Sequence, residues 1–193
     1  MKKKIRELTG INTTYLGQYK YKDANRVNPK ILARILELSK EYPSVKRSNE
    51  LGWQSKKDFY KEPCVAELGQ FVQTCLKRYI TKNINTSIIK DWRITDLWAN
   101  ICPKYSYHKR HTHPNSDLSG AYYVSVPKNA PELIFTNPHR YMRPLIIGSA
   151  DTAISPTDGL LVIFDSGLEH EVNINLSDEP RIGLSFNCQI NKI

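Results

Sequence analysis

The chain has 193 residues and a formal net charge of +9, with 40% hydrophobic and 24% charged residues. These are the proportions of a soluble globular protein long enough for one well-covered core. No apolar run approaches the ~20 residues needed to span a bilayer, and the basic opening MKKKIRELTG leads into no apolar segment or small-residue cleavage site, so no membrane partner and a cytoplasmic location are expected. Cys64, Cys75, Cys102 and Cys188 are scattered in apolar contexts without CxxC pairing, which predicts free, buried thiols rather than disulfides or zinc. The charge is uneven: residues 1–93 hold 20 Lys+Arg against 9 Asp+Glu, and residues 94–193 hold 8 against 10. A basic half can meet nucleic acid, but these lysines are spread and lack interleaved aromatics, so a solvated face is the favoured reading.

Residues 1–27 show no sustained period, and a short strand or hairpin near Thr13–Tyr21 is the only element suggested there. Asn28 followed by Pro29 reads as a helix N-cap and first turn, and Ile31, Leu32, Ile35, Leu36 and Leu38 predict a helix over about 29–42, ended by Pro43. After a loop carrying Trp53 and a basic patch, Pro63 opens a second helix with Val65, Leu68, Val72, Cys75, Leu76 and Tyr79 in one apolar stripe. That stripe needs a sheet to lie on. From Trp92 the period changes to two. Strands are expected near 93–101, 119–126, 132–135, 152–155, 160–164, 170–174 and 181–189, with turns at 127–129, 157–159 and 177–180 and a longer loop over 136–150. Helices first and strands afterwards predict an α+β arrangement in which N-terminal helices buttress an antiparallel sandwich or barrel.

Three of the five histidines, His108, His111 and His113, fall within six residues. Two histidines one residue apart share a side of an extended backbone, so His111 and His113 can face one metal ion, with His170 the best third ligand. His108 reads as an exposed or supporting residue, and His139 as a surface residue or a substrate contact. In a hairpin turning at 175–180, Arg181, Gly183, Ser185 and Asn187 share one face, while Ile182, Leu184 and Phe186 pack outward on the helices. Arg181 then points inward beside the metal, and a buried guanidinium requires an anion. A dicarboxylate that chelates iron at one end and pairs with Arg181 at the other satisfies both. Asn100 and Asn187 can line the same pocket, or cap turns at strand ends.

HTHPNSDLSGAYYVSVP, ISPTDGLLVIFDSGLEHEV and RIGLSFN, with SNELGWQS and LWANI upstream, closely resemble the motif set of a family of 2-oxoglutarate- and Fe(II)-dependent oxygenases of bacteria and phages. The resemblance runs in order over about 48–189. It implies a double-stranded β-helix, the jelly-roll or cupin-like barrel, over residues 48–193 with a supporting helix, behind an N-terminal extension of residues 1–47 with one helix. It further implies Fe(II), 2-oxoglutarate and O2 as cofactor and cosubstrates and hydroxylase-type oxidation of a substrate. Carried over, it makes His111 and His170 iron ligands, Arg181 the partner of the far carboxylate of 2-oxoglutarate, and Tyr123 a hydrogen-bond donor to that cosubstrate. One position departs from the superfamily pattern: where an H-x-D or H-x-E pair is usual, His113 stands here. Either the ligands are three histidines, or His113 supports the site while Asp117 or water completes it; three histidines are preferred because Asp117 lies past Pro114. The competing readings are a three-histidine cupin-type metalloenzyme that does not use 2-oxoglutarate, and a non-catalytic jelly-roll binding module.

Overall fold

The computed structural model describes residues 14–138 and 151–193. In chain order they form β1 (Gly17–Lys20), α1 (Ala24–Glu41), β2 (Asn49–Glu50), β3 (Trp53–Gln54), α2 (Ala66–Asn83), β4 (Ile89–Cys102), β5 (Tyr107–His111), β6 (Leu118–Ser125), β7 (Leu133–Phe135), β8 (Thr152–Ile154), β9 (Leu160–Asp165), β10 (His170–Val172) and β11 (Arg181–Lys192). The strands make two antiparallel sheets, one ordered β1-β9-β6-β11-β4-β3 and the other β2-β5-β10-β7-β8. No described helix is long and apolar enough to cross a membrane.

Period-2 alternation on the larger sheet separates two layers of core. Tyr122, Val124, Leu161, Ile163, Leu184 and Phe186 pack with Ile31 and Ile35 of α1 and Leu76 of α2. Their neighbours Tyr123, Val162 and Phe164 face the other way and pack with Leu133, Phe135 and Val172 of the smaller sheet. The expected α2 stripe is buried in full, from Val65 to Tyr79, and it does lie on a sheet. The two faces of β11 divide as the alternation requires: Ile182, Leu184 and Phe186 turn to the helices, while Arg181, Gly183 and Ser185 line the space between the sheets.

Three expectations are corrected. The first helix begins at Ala24, not at about residue 29 behind an Asn28 cap, and carries Pro29 inside it. Asn28 caps nothing: its amide donates to the Val124 carbonyl (2.8 Å) and accepts the Tyr122 hydroxyl (2.7 Å), tying the helix to β6. Burial of Ala24 and Val27 draws the extra turn into the core and outweighs the bond that Pro29 cannot donate. The helix does stop before Pro43, with Tyr42 extended (φ −127°, ψ 141°). Second, the segments around 170–174 and 181–189 are not a hairpin, because β10 pairs with β5 and β7 whereas β11 pairs with β4 and β6. The turn between them crosses from one sheet to the other, pinned by fully buried Asn175, whose amide donates to the Cys102 carbonyl (2.9 Å). The face assignment survives because it depends on alternation alone. Third, β5 ends at His111, so His113 lies beyond the strand. Of the 136–150 loop, residues 139–150, including His139, lie outside the described residues. The turn before β9 is as expected, with Gly159 at φ +74°, a conformation that L side chains resist.

Leu76 has no exposed surface and sits where α2 meets the larger sheet. Leu76→Ala should destabilise the protein by about 2–5 kcal/mol, seen as a lower urea midpoint at unchanged slope.

Candidate metal and anion site

The smaller sheet brings two histidines together by register. His111 of β5 and His170 of β10 are direct cross-strand partners, so both side chains leave the same face of the pair. His113 reaches them by another route: its backbone N–H donates to the Ser166 carbonyl (2.9 Å), in the turn after β9. That turn is held in place by polar contacts. The Ser119 and Ser166 hydroxyls bond at 2.7 Å, and Ser119 donates to Asn187 (2.9 Å), whose amide donates to Asp96 (3.2 Å). The three rings converge, with centroids 4.3 to 5.1 Å apart.

One potential ligand nitrogen from each of the three residues lies within 4.8 Å of the others. The Nδ1 atoms of His111 and His170 sit 2.6 and 2.8 Å from the backbone carbonyls of Lys109 and Leu168, so each Nδ1–H donates and leaves its Nε2 lone pair free. Nε2 of His113 and Nε2 of His170 are 3.3 Å apart. Two metal–imidazole bonds of about 2.1 Å at a right angle separate their nitrogens by about 3 Å, so this spacing suits two adjacent ligands of one ion. Burial, followed by the neighbouring histidines, lowers the pKa of His170 to about 3 and that of His113 to about 4; burial lowers that of His111 as well. All three are neutral at neutral pH, as metal ligation demands. Phe135 and Phe164 pack on the His170 ring (5.8 and 4.8 Å), and Trp98 lies beside His113 (5.8 Å).

The larger sheet supplies an opposite charge preference. Arg181 is 8% exposed, with its guanidinium 5.5 Å from the Tyr123 ring centroid. Its Nε and the Tyr123 hydroxyl are buried without a hydrogen-bond partner. Both residues line the cavity that the three histidines also line. A buried cation and a buried hydroxyl, each with an unused donor, would both be satisfied by an anionic oxygen.

The other expected residues fall in different places. Asn100 lines the cavity, whereas Asn187 is not among its lining residues and spends its amide on Ser119 and Asp96. Asp117 is not among the converging ligands; its carboxylate accepts the Ile190 N–H (2.7 Å). His108 is on the cavity wall with its Nε2 3.2 Å from Cys102 Sγ. All four cysteines are free, and only Cys64 is less than buried. Sequence reasoning missed β5, because YHKRH carries no apolar alternation, and it missed the Ser119–Ser166 clasp, which joins residues that no local pattern connects.

Residues 96–187 match the protein family described as "Putative 2OG-Fe(II) oxygenase". Among curated proteins, none matches the sequence. Solved structures share the fold. A prolyl-4-hydroxylase from Pseudomonas putida superposes with a TM-score of 0.67 at 14% identity, over 92% of this chain and 94% of that one. SnoN, a non-heme α-ketoglutarate-dependent epimerase from nogalamycin biosynthesis, gives 0.66 at 13% identity, over 90% and 76%. HygX from Streptomyces hygroscopicus, with nickel, 2-oxoglutarate and hygromycin B bound, gives 0.62 at 10% identity, over 90% and 82%. At these identities the likeness carries the fold, a double-stranded β-helix.

The histidine pKa values give a pH dependence for the metal-free protein. Folding lowers these pKa values below the ordinary 6.5, so the unfolded chain binds more protons as pH falls. Stability from the neutral cluster is complete above the unfolded value and is lost as pH drops through about 4 for His113 and about 3 for His170. Thermal unfolding of metal-free protein between about pH 7.5 and 4.5 should show Tm falling with acid, and His113→Gln with His170→Gln should flatten that slope.

Proposed function

We propose that this chain, whose residues 96–187 belong to the 2-oxoglutarate- and Fe(II)-dependent oxygenases, holds Fe(II) through His111, His113 and His170 and 2-oxoglutarate between that iron and Arg181. The observation that carries the reading is a converging, neutral histidine cluster and a buried guanidinium whose Nε has no hydrogen-bond partner, on the walls of one cavity. The donor set suits a borderline divalent ion, and the orphaned Arg181 and Tyr123 donors suit a carboxylate, so both groups fit the residues present. When bound, Fe(II) with 2-oxoglutarate and O2 supplies oxidative decarboxylation to succinate and CO2, coupled to oxidation of a substrate C–H bond.

The chain itself binds, orients and shields. The Lys109 and Leu168 carbonyls aim the Nε2 atoms of His111 and His170, and the Ser119–Ser166 clasp, anchored by Asn187, positions His113. Asn187 thus serves the site through Ser119 rather than by touching the cosubstrate. The fork of Arg181 donates to the far carboxylate, with the Tyr123 hydroxyl as a second donor. Leu133, Phe164 and Val172 give the cavity apolar walls, and Phe135 packs on the His170 ring, so that water is excluded around the histidines. A three-histidine set without a carboxylate also suits a cupin-type enzyme that takes no 2-oxoglutarate; Arg181 favours the oxygenase, since that alternative gives its charge no partner. We take residues 48–193 as the oxygenase domain and 1–47 as its extension. Four free cysteines support a reducing, cytoplasmic compartment, the bacterial host's if the chain is phage-encoded.

Purified protein incubated with Fe(II) and 2-oxoglutarate should release succinate slowly without a prime substrate, and lack of release under well-reduced conditions would favour the cupin alternative. His170→Ala should lose stoichiometric iron; retention would contradict the ligand assignment. Arg181→Ala should leave iron binding unchanged while 2-oxoglutarate affinity falls about a hundredfold or more, as loss of charge-assisted bonds from a buried anion requires. Titration calorimetry on anaerobic Mn(II)-loaded protein reads both quantities.

A further inference from the structure

The wall around Arg181 contains two groups that the reading above does not use. Cys102, 3% exposed, is the direct cross-strand partner of Arg181 on β4, and its thiol is an electrostatic neighbour of the guanidinium. On its other side Cys102 Sγ lies 3.2 Å from Nε2 of His108, a β5 residue three positions before His111. All three residues line the cavity. The contact therefore bridges the two sheets, with Arg181 and Cys102 on the larger and His108 on the smaller.

The donor inventory orders this row. A guanidinium only donates, so toward Arg181 the sulfur must present lone pairs. Its single S–H is then free to point at Nε2 of His108, which accepts if the imidazole carries its proton on Nδ1. His108 is neutral: burial and then the Arg181 charge push its pKa well below the ordinary value. A row running from guanidinium to sulfur to imidazole fixes the thiol rotamer and, through it, one side of the guanidinium. The guanidinium also lies over the Tyr123 ring, and its Nε is unpartnered. An arginine fork gains from a carboxylate only when its plane is already oriented, because a misplacement of about 1 Å forfeits much of a bidentate contact.

We propose that Cys102 and His108 are positioning residues for Arg181, a thiol–imidazole brace that orients the guanidinium and so sets the selectivity for a 2-oxo acid bearing a second carboxylate. The inference rests on Arg181 as the carboxylate anchor. It concerns discrimination between ligands, which a packing role for the pair would not alter.

The test is titration of anaerobic Mn(II)-loaded protein with 2-oxoglutarate and with 2-oxobutyrate, which keeps the chelating end and lacks the far carboxylate. Wild type should prefer 2-oxoglutarate strongly. Cys102→Ala and His108→Leu should each reduce that preference about tenfold, the scale of one lost hydrogen bond to a charged group, with 2-oxobutyrate and Mn(II) affinities unchanged. Cys102→Ser, whose hydroxyl can still accept from Arg181 and donate to His108, should retain most of the preference and guards against a folding defect in the alanine variant. Wild-type preference in folded Cys102→Ala and His108→Leu, alongside a preference abolished by Arg181→Ala, would overturn the brace and leave the anchor standing. If wild type itself shows no preference and Arg181→Ala behaves identically, the anchor fails and the brace falls with it.

Discussion

A guanidinium buried at the start of β11 without a carboxylate beside it is the constraint on which the rest of the site depends. Arg181 remains protonated at any accessible pH, and taking such a charge out of water is costly unless an anion or several acceptors meet it. The protein meets it halfway, with an aromatic ring and a thiol beside it, and leaves Nε without an acceptor among the described residues. A fold that evolved for packing alone would place Leu or Met there. The residual cost is recovered only when an anion enters, so the site is disposed toward a charged ligand before it is bound.

The same argument explains the three histidines. An iron site built from two histidines and one carboxylate carries a single positive charge, whereas three neutral imidazoles leave the full charge of the ion in place. With iron bound by those imidazoles and Arg181 on the same cavity, the site would be strongly electropositive, and a dianion would offset most of that charge. As a ligand in place of a carboxylate, His113 would therefore raise the demand for an anionic cosubstrate instead of weakening it. The Asp96 carboxylate, bound to Asn187 at 3.2 Å and to Lys57 at 3.3 Å, is held by these contacts and is not among the converging ligands.

Much of this was legible in the sequence because alternation is local. The facing of Arg181 away from Ile182, Leu184 and Phe186 and the buried stripe from Val65 to Tyr79 follow from period and spacing; the three histidines named from their spacing do converge, but by the β5–β10 register and the contact of His113 with Ser166 rather than by alternation. What failed was set by contacts distant in sequence. Asn28 looks like an N-cap, yet its amide bonds β6 some 95 positions away, and tertiary bonding outcompeted the local signal. The hairpin at 175–180 was misread because a turn sequence does not say whether the next strand joins the same sheet. The Ser119–Ser166 clasp and the Cys102–His108 contact join polar residues across strands, where no pattern points. Contacts to the oxidised substrate are illegible for a related reason: in such barrels they come from loops whose sequence follows the substrate rather than the fold.

The division of labour between the sheets has a mechanical consequence. His111 and His170 belong to the smaller sheet, Arg181 and Tyr123 to the larger, and only the larger sheet is backed by α1 and α2. A ligand held by iron at one end and by Arg181 at the other would therefore span the gap between two layers that otherwise meet through a small apolar cluster centred on Tyr123, Phe135 and Phe164. Stacked sheets settle about 10 Å apart, a distance set by the side chains between them. The span open to a ligand is thus set by that cluster and by the row from His108 through Cys102 to Arg181, both of which cross the gap. A cosubstrate that bound both the histidine-held ion and Arg181 would therefore stabilise the folded sandwich as it filled its own subsite, so that binding and barrel stability would rise together.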